Sequence, residues 1–140
     1  MASAVEIHRT AHEAFNRRDW DRMRALTAPD VAFTDHARAI TTDGFDEFLG
    51  WIQEWPTGMS DARVDEPQYL DAGTHSVCRF NGRGVNDGPM GPANATGRQI
   101  DLAFCEIVRV EGDRIVSGEM YYDTMTMMAQ LGVVQAPAVA

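Results

Sequence analysis

The run "RQIDLAFCEIVRV" sets one carboxylate, Glu106, among apolar residues of the same parity. In an extended strand successive side chains point to opposite faces. One face then reads Ile100, Leu102, Phe104, Glu106, Val108, Val110, and the other Asp101, Ala103, Cys105, Ile107, Arg109, Glu111. Burial penalises a charged carboxylate, so Glu106 must find a partner or take up a proton. With a raised pKa in a pocket it would suit general acid–base catalysis, abstracting or returning a proton next to a carbonyl. Two structural outcomes use the same residue: an ion pair with an arginine such as Arg79 on a neighbouring strand, or a bulge that turns it outward.

A second chemical stretch is "GEMYYDTMTMMAQLG", from Gly118 to Gly132. Met120 and Tyr122 share a parity with Val116 and Gly118, and they join Glu106 if the apolar faces of the two strands coincide. The Tyr122 phenol could then donate to an oxyanion developing on a ligand. Asp123 stands where strand gives way to helix and is either a catalytic acid–base group or the helix cap. Asp35 and His36 end an earlier strand. As neighbours they point apart, leaving His36 as a proton shuttle near neutral pH or Asp35 as a ligand-binding group. Phe48, Trp51 and Trp55 form a helical stripe that, with Phe104 and Met120, either walls a pocket for a planar ligand or packs the core. His8 and His12 have the i, i+4 spacing of metal ligands. The sequence offers no further ligand set beside them, so no metal site is expected. His75 is expected at the surface.

The elements that must position these groups follow from periodicity. Ile7, Ala11, Ala14 and Phe15 form one stripe between Val5 and Phe15, which predicts a first helix. Asp19 is a plausible cap for a second, short helix carrying Trp20, Met23 and Leu26. "VAFTDHA" reads as a short strand. A third helix follows Asp43 through Phe45, Phe48, Leu49, Ile52 and Trp55, with Pro56 as its stop. Beyond Gly58 come four strand-like runs, "ARVDEPQYLDA", "THSVCRFNGRG", "RQIDLAFCEIVRV" and "DRIVSGEMYYD". Pro67 fits an edge strand or a bulge. The stretch Asn81 to Gly97, with five glycines and two prolines, is too long for a tight turn and could gate a pocket. "TMTMMAQLG" predicts a closing helix ended by Gly132, either a lid or a dimer contact. Residues 133–140 read as a loose tail. Helices grouped ahead of strands imply an α+β domain over residues 1–132, its helices covering a curved antiparallel sheet and a pocket.

The chain has 140 residues, 44% hydrophobic and 24% charged, enough for one domain with a real core. A net charge of −9 argues against nucleic acid or an anionic membrane as partner. The start shows no signal peptide and no run approaches a membrane span, so a cytoplasmic protein is expected. In that compartment Cys78 and Cys105 should be buried thiols.

The strand "GDRIVSGEMYYD" with its short helix ending "QLG", and the opening "AFNRRDWDRMRALTAPDVAFTD", resemble the SnoaL-like polyketide cyclase branch of the nuclear-transport-factor-2-like superfamily. The resemblance runs from Val5 to Gly132. It implies a cone-shaped α+β fold of the cystatin/nuclear-transport-factor-2-like kind, with a deep apolar cavity, and usually a homodimer. It implies a cofactor-free enzyme acting on a hydrophobic carbonyl compound by cyclase- or isomerase-like chemistry, with a hydrophobic small-molecule substrate. Registered on those cyclases, Glu106 stands where they carry a pocket histidine and Met120 where they carry the acid–base aspartate. A thioether cannot move a proton. Either Glu106 or Asp123 has taken over that work, with Tyr122 and His36 holding the oxyanion, or the reaction differs. A non-catalytic binding or accessory domain and a hydroxylase-like member of a polyketide pathway remain the alternatives.

Overall fold

The computed structural model describes residues 2–135, so most of the expected tail lies outside the described residues. The chain runs α1 (Ala4–Asn16), α2 (Trp20–Ala25), β1 (Thr27–Asp35), β2 (Ile40–Asp43), α3 (Phe45–Ile52), α4 (Glu54–Gly58), β3 (Arg63–Ala72), β4 (His75–Val85), β5 (Gln99–Glu111), β6 (Arg114–Tyr121) and α5 (Thr124–Leu131). This is the α+β class the residue order implies.

Local chemistry explains most boundaries. Ser3 and Glu6 close a reciprocal capping box at the start of α1, and the Asp19 side chain accepts from the Arg22 amide to start α2. The long helix expected after Asp43 is two helices. Gln53 ends α3, and Pro56 falls in the first turn of α4, where its missing N–H costs no intrahelical bond. Gly132 adopts φ 79° and closes α5.

The six strands form one curved sheet in the order β2-β1-β6-β5-β4-β3. All neighbouring pairs are antiparallel except β1 and β6, which run parallel, so the sheet is mixed rather than antiparallel throughout. Bulges bend it in three places, between Thr27 and Ala32, between Asp65 and Gln68, and between Arg109 and Val110. Pro67 sits in the second of these, on the edge strand β3, where a missing donor is tolerated.

Alternation along β5 is as expected: Ile100, Leu102, Phe104, Glu106 and Val108 are buried. On β6 it is not. Val110 pairs with Ile115 but Arg109 with Ser117, leaving Val116 as the extra residue of a bulge. Ile115 therefore turns into the core in place of Val116. Helix α1 packs across β3, β4 and β5, α3 packs on β1, and α5 packs on β5. Gly118 lets Phe33 lie flat on β6, since a Cβ there would meet the ring at 2.8 Å.

The expected gate is also different. Asn81–Val85 belongs to β4, and the rest of the stretch is pinned by Asn86, which is fully buried. Its amide donates to the carbonyls of Gly58 and Gly88, and its oxygen accepts from the Thr96 amide and hydroxyl at 2.8 Å each. Four such bonds tie the loop to itself and to the end of α4, and none of residues 86–97 lines the cavity described below.

Candidate active site

The helices and the inner sheet face enclose an apolar cavity of about 80 Å³. Phe15, Phe48, Trp55, Phe80, Phe104 and Met120 supply much of its wall. Arg63 and Arg83, the cationic side chains of the lining, remain partly exposed and mark the mouth. A volume this small, against the roughly 300–1,000 Å³ of sites for drug-sized ligands, takes one ring or a short chain unless the walls spread.

Three buried polar residues interrupt that wall: His8 and His12 from α1 and Glu106 from β5. One helical turn places both imidazoles on the same side of α1. The inward parity of β5 brings the carboxylate to meet them. Nε2 of His8 and Nε2 of His12 each lie 2.7 Å from Glu106 Oε1. The outer nitrogens are also held: His8 Nδ1 is 2.8 Å from Ser76 Oγ, and His12 Nδ1 is 2.8 Å from Tyr69 Oη. The result is a continuous chain, Ser76–His8–Glu106–His12–Tyr69.

Burial alone would raise the Glu106 carboxyl, but attraction to His12 and hydrogen bonds from His12 and His8 outweigh it and hold it well below the usual carboxylate range. Of the outcomes the sequence leaves open for Glu106, a partner or a bound proton, the geometry favours the first: a carboxylate with two donors, although these are the imidazoles of α1 and not an arginine. Burial pushes the His8 imidazole down, against the hydrogen bond and charge of Glu106. A neutral His8 donates Nε2–H to Glu106 and accepts at Nδ1 from the Ser76 hydroxyl. Burial and the Glu106 charge push the adjacent Cys78 thiol up to about 12, so it stays protonated. Cys78 and Cys105 are both free. Arg79 pairs in register with Cys105, on the opposite face from Glu106, and is exposed.

The remaining expected site residues divide. Phe48, Trp55, Phe104 and Met120 line the cavity, and Met120 is the register partner of Glu106. The indole Nε1 of Trp55 is buried without a hydrogen-bond partner among the described residues. Asp35, Trp51 and Tyr122 do come together, but with one another. Asp35, 1% exposed, accepts from Tyr122 Oη at 2.8 Å and from Trp51 Nε1 and Arg38 Nε at 3.1 Å each. Arg38 continues to Glu54 at 2.9 Å. Burial and the Asp35 hydrogen bond push the Tyr122 phenol up. These three brace β1, α3 and the approach to α5 and do not line the cavity, and the Tyr122 proton expected for an oxyanion is here given to Asp35.

His36 lies outside the cavity lining, 41% exposed, stacked on Tyr121 with centroids 4.2 Å apart and 3.3 Å from Glu119. Asp123 is exposed and caps α5, accepting from the Met125 and Thr126 amides and the Thr126 hydroxyl. Neither lines the cavity. Asp123→Ala is expected to lower the melting temperature by a few degrees through loss of the cap while leaving kcat/KM within about twofold, read by thermal unfolding and steady-state turnover.

Sequence reasoning noticed His8 with His12, and separately Glu106, but missed that each supplied what the other lacked. Tyr69 and Ser76 carried no signal at all.

The family model for SnoaL-like polyketide cyclases matches residues 5–131. No curated protein matches the chain in sequence. Among solved structures, IdmH of Streptomyces antibioticus, provisionally described as a polyketide cyclase, is 25% identical with a TM-score of 0.82, covering 94% of this chain and 99% of its own. A provisionally described polyketide cyclase of Xanthomonas campestris is 25% identical with a TM-score of 0.83, over 91% and 96%. A protein of Catenulispora acidiphila with a ketosteroid isomerase-like fold is 21% identical with a TM-score of 0.79, over 99% and 100%, and shows the same fold.

Proposed function

The chain belongs to the SnoaL-like polyketide cyclase family, and on that premise we propose that it moves a proton next to a carbonyl of a hydrophobic small molecule. The observation that carries this reading is one ionised, hydrogen-bonded carboxylate with two imidazoles in an otherwise apolar cavity. Glu106 accepts the α-proton once a ligand carbonyl draws the His8 and His12 donors away from it, since while they hold the carboxylate its affinity for a proton is low. The His8 and His12 Nε2–H groups, already turned toward the carboxylate, offer donors to the enolate oxygen as the carboxylate charge is neutralised. Trp55 Nε1, without a partner of its own, supplies a further donor from the wall. Donors aimed at developing charge in a dry site usually contribute most to such catalysis. Aldol cyclisation and double-bond isomerisation both begin with this step. The same reading takes the protein as a cytoplasmic homodimer, on the family likeness alone; no described helix is long and apolar enough to cross a membrane.

One observation favours a second reading, a binding or accessory domain without chemistry: Met120 occupies the cavity position opposite Glu106, where the cyclases it resembles carry an acid–base aspartate. Turnover decides between them. Incubated with enolisable ketones of one ring or a short chain, and with polyketide methyl esters and steroid ketones that fit only if the walls spread, the wild type is expected to form product visible by mass spectrometry. Glu106→Gln is expected to lose roughly 100-fold or more in kcat/KM, the usual contribution of a positioned general base. Equal turnover by the two proteins would remove Glu106 from the chemistry. Ligand retention without turnover by either would establish the binding domain.

A further inference from the structure

The three side chains that floor the cavity also meet the requirements of a metal centre. We propose that His8, His12 and Glu106 bind one divalent first-row transition-metal ion of the zinc type, with a remaining coordination position open to the cavity.

The ligand set is the first argument. Two imidazole nitrogens and one carboxylate oxygen converge from a single helix and the facing strand, all within 4.8 Å of one another. Two histidines and a carboxylate are a recurring ligand set for zinc and for non-haem iron, with three protein ligands and an open position. Bonds of about 2.0–2.2 Å to a central ion set ligand atoms roughly 3 Å or more apart. At the tetrahedral angle of a four-coordinate zinc site the same bonds set ligand atoms about 3.4 Å apart, so the two Nε2–Oε1 separations of 2.7 Å must widen by roughly 0.7 Å through side-chain rotation.

The second argument is what lies behind the ligands. Metal-binding imidazoles almost always donate their other N–H to an oxygen, which fixes the tautomer and the ring. Here both outer nitrogens already have such an oxygen, Ser76 Oγ and Tyr69 Oη, each at 2.8 Å. Ion binding takes the Nε2 proton from each imidazole: a neutral ring carries it instead at Nδ1 and its hydroxyl partner passes from donor to acceptor, and a protonated ring releases one proton to solvent. The balance needs no other group.

Charge is the third. One carboxylate and two neutral imidazoles leave a dication with a net single positive charge in an apolar cavity. No lysine or arginine hydrogen-bonds to the three among the described residues. An ion there would draw a ligand carbonyl or water into the cavity, and the metal-bound form would polarise that carbonyl in place of the metal-free proton transfer proposed above.

The test uses full-length protein, stripped with chelator and then titrated with Co²⁺ as a visible probe and Zn²⁺ as competitor. The expected result is one Co²⁺ per chain with a d–d absorption band that Zn²⁺ displaces, confirmed by elemental analysis after gel filtration. His12→Gln is expected to abolish the band and the retained metal, and His36→Ala, on the outer surface, to leave both unchanged. Should His12→Gln fail to fold, Tyr69→Phe serves instead: it keeps the ring, removes the outer oxygen, and is expected to weaken binding about 10–100-fold. Absence of the band in wild type, or binding indifferent to both His12→Gln and Tyr69→Phe, would overturn the proposal. The readout involves no substrate, so metal binding is scored without reference to turnover; because the ion and the α-proton compete for Glu106 and both Nε2 atoms, bound metal would replace the metal-free acid–base step rather than add to it.

Discussion

Glu106→Leu is expected to cost about 3–5 kcal/mol of folding stability, the range for removing one partner from a buried charged cluster. The leucine fills the space, so the loss is not a cavity effect. It comes from two imidazole N–H donors that both point at Oε1 and would then have no acceptor in an apolar wall. The sign should reverse on completing the substitution. His8→Leu/His12→Leu/Glu106→Leu removes donors and acceptor together and should recover most of the loss, leaving only the Ser76 and Tyr69 hydroxyls to find new partners. Urea unfolding of the wild type, the single and the triple variant measures both steps. A single-variant loss below about 1 kcal/mol would mean the imidazoles are satisfied without Glu106.

The cluster also shows where reading from sequence stopped. Glu106 was legible as anomalous because a period of two along β5 put it alone on an apolar face, and the structure keeps it inward. His8 and His12 were legible as a pair because one helical turn separates them. Their meeting depends on how α1 lies across β5, and no spacing rule spans 94 residues. Asp35, Trp51 and Tyr122 failed in the opposite way. Each is a residue type that binds ligands, but parity cannot reveal that the carboxylate, the indole and the phenol satisfy one another. The inward face of β6 was misread at Val116 because a bulge leaves no signature in composition, whereas the α+β order followed from helices preceding strands.

Asn86→Leu is the second large effect, expected to cost about 3 kcal/mol. The residue is fully buried, and its side chain holds the carbonyl of Gly88 and the amide of Thr96 and shares the carbonyl of Gly58 with the Gly88 amide. Leucine matches the volume and supplies none of those bonds. Those backbone groups would then need water, which requires the loop to lift off α4. Gly88 adds to the constraint, since even a Cβ there would come within 2.1 Å of the Thr57 carbonyl oxygen. The loss should therefore be local first: hydrogen exchange should rise across residues 86–97 before it rises in β5. Uniform exchange along the chain with unchanged denaturant midpoint would show that Asn86 does not anchor the loop.

The parallel seam between β1 and β6 bears on how this chain is made. Phe33 pairs with Gly118 and Asp35 with Met120, so the first strand to leave the ribosome acquires that neighbour only when nearly the whole sequence has emerged. Until then β1 has only the four-residue β2 beside it, and Phe33 lacks the surface Gly118 provides. Long-range pairing of this kind pays its loop-closure entropy before any contact rewards it, and it slows folding. A chain truncated before β6 would thus lose one edge's support and the site's opposing wall together, and would be left with an unpaired, aggregation-prone strand at each side of the gap.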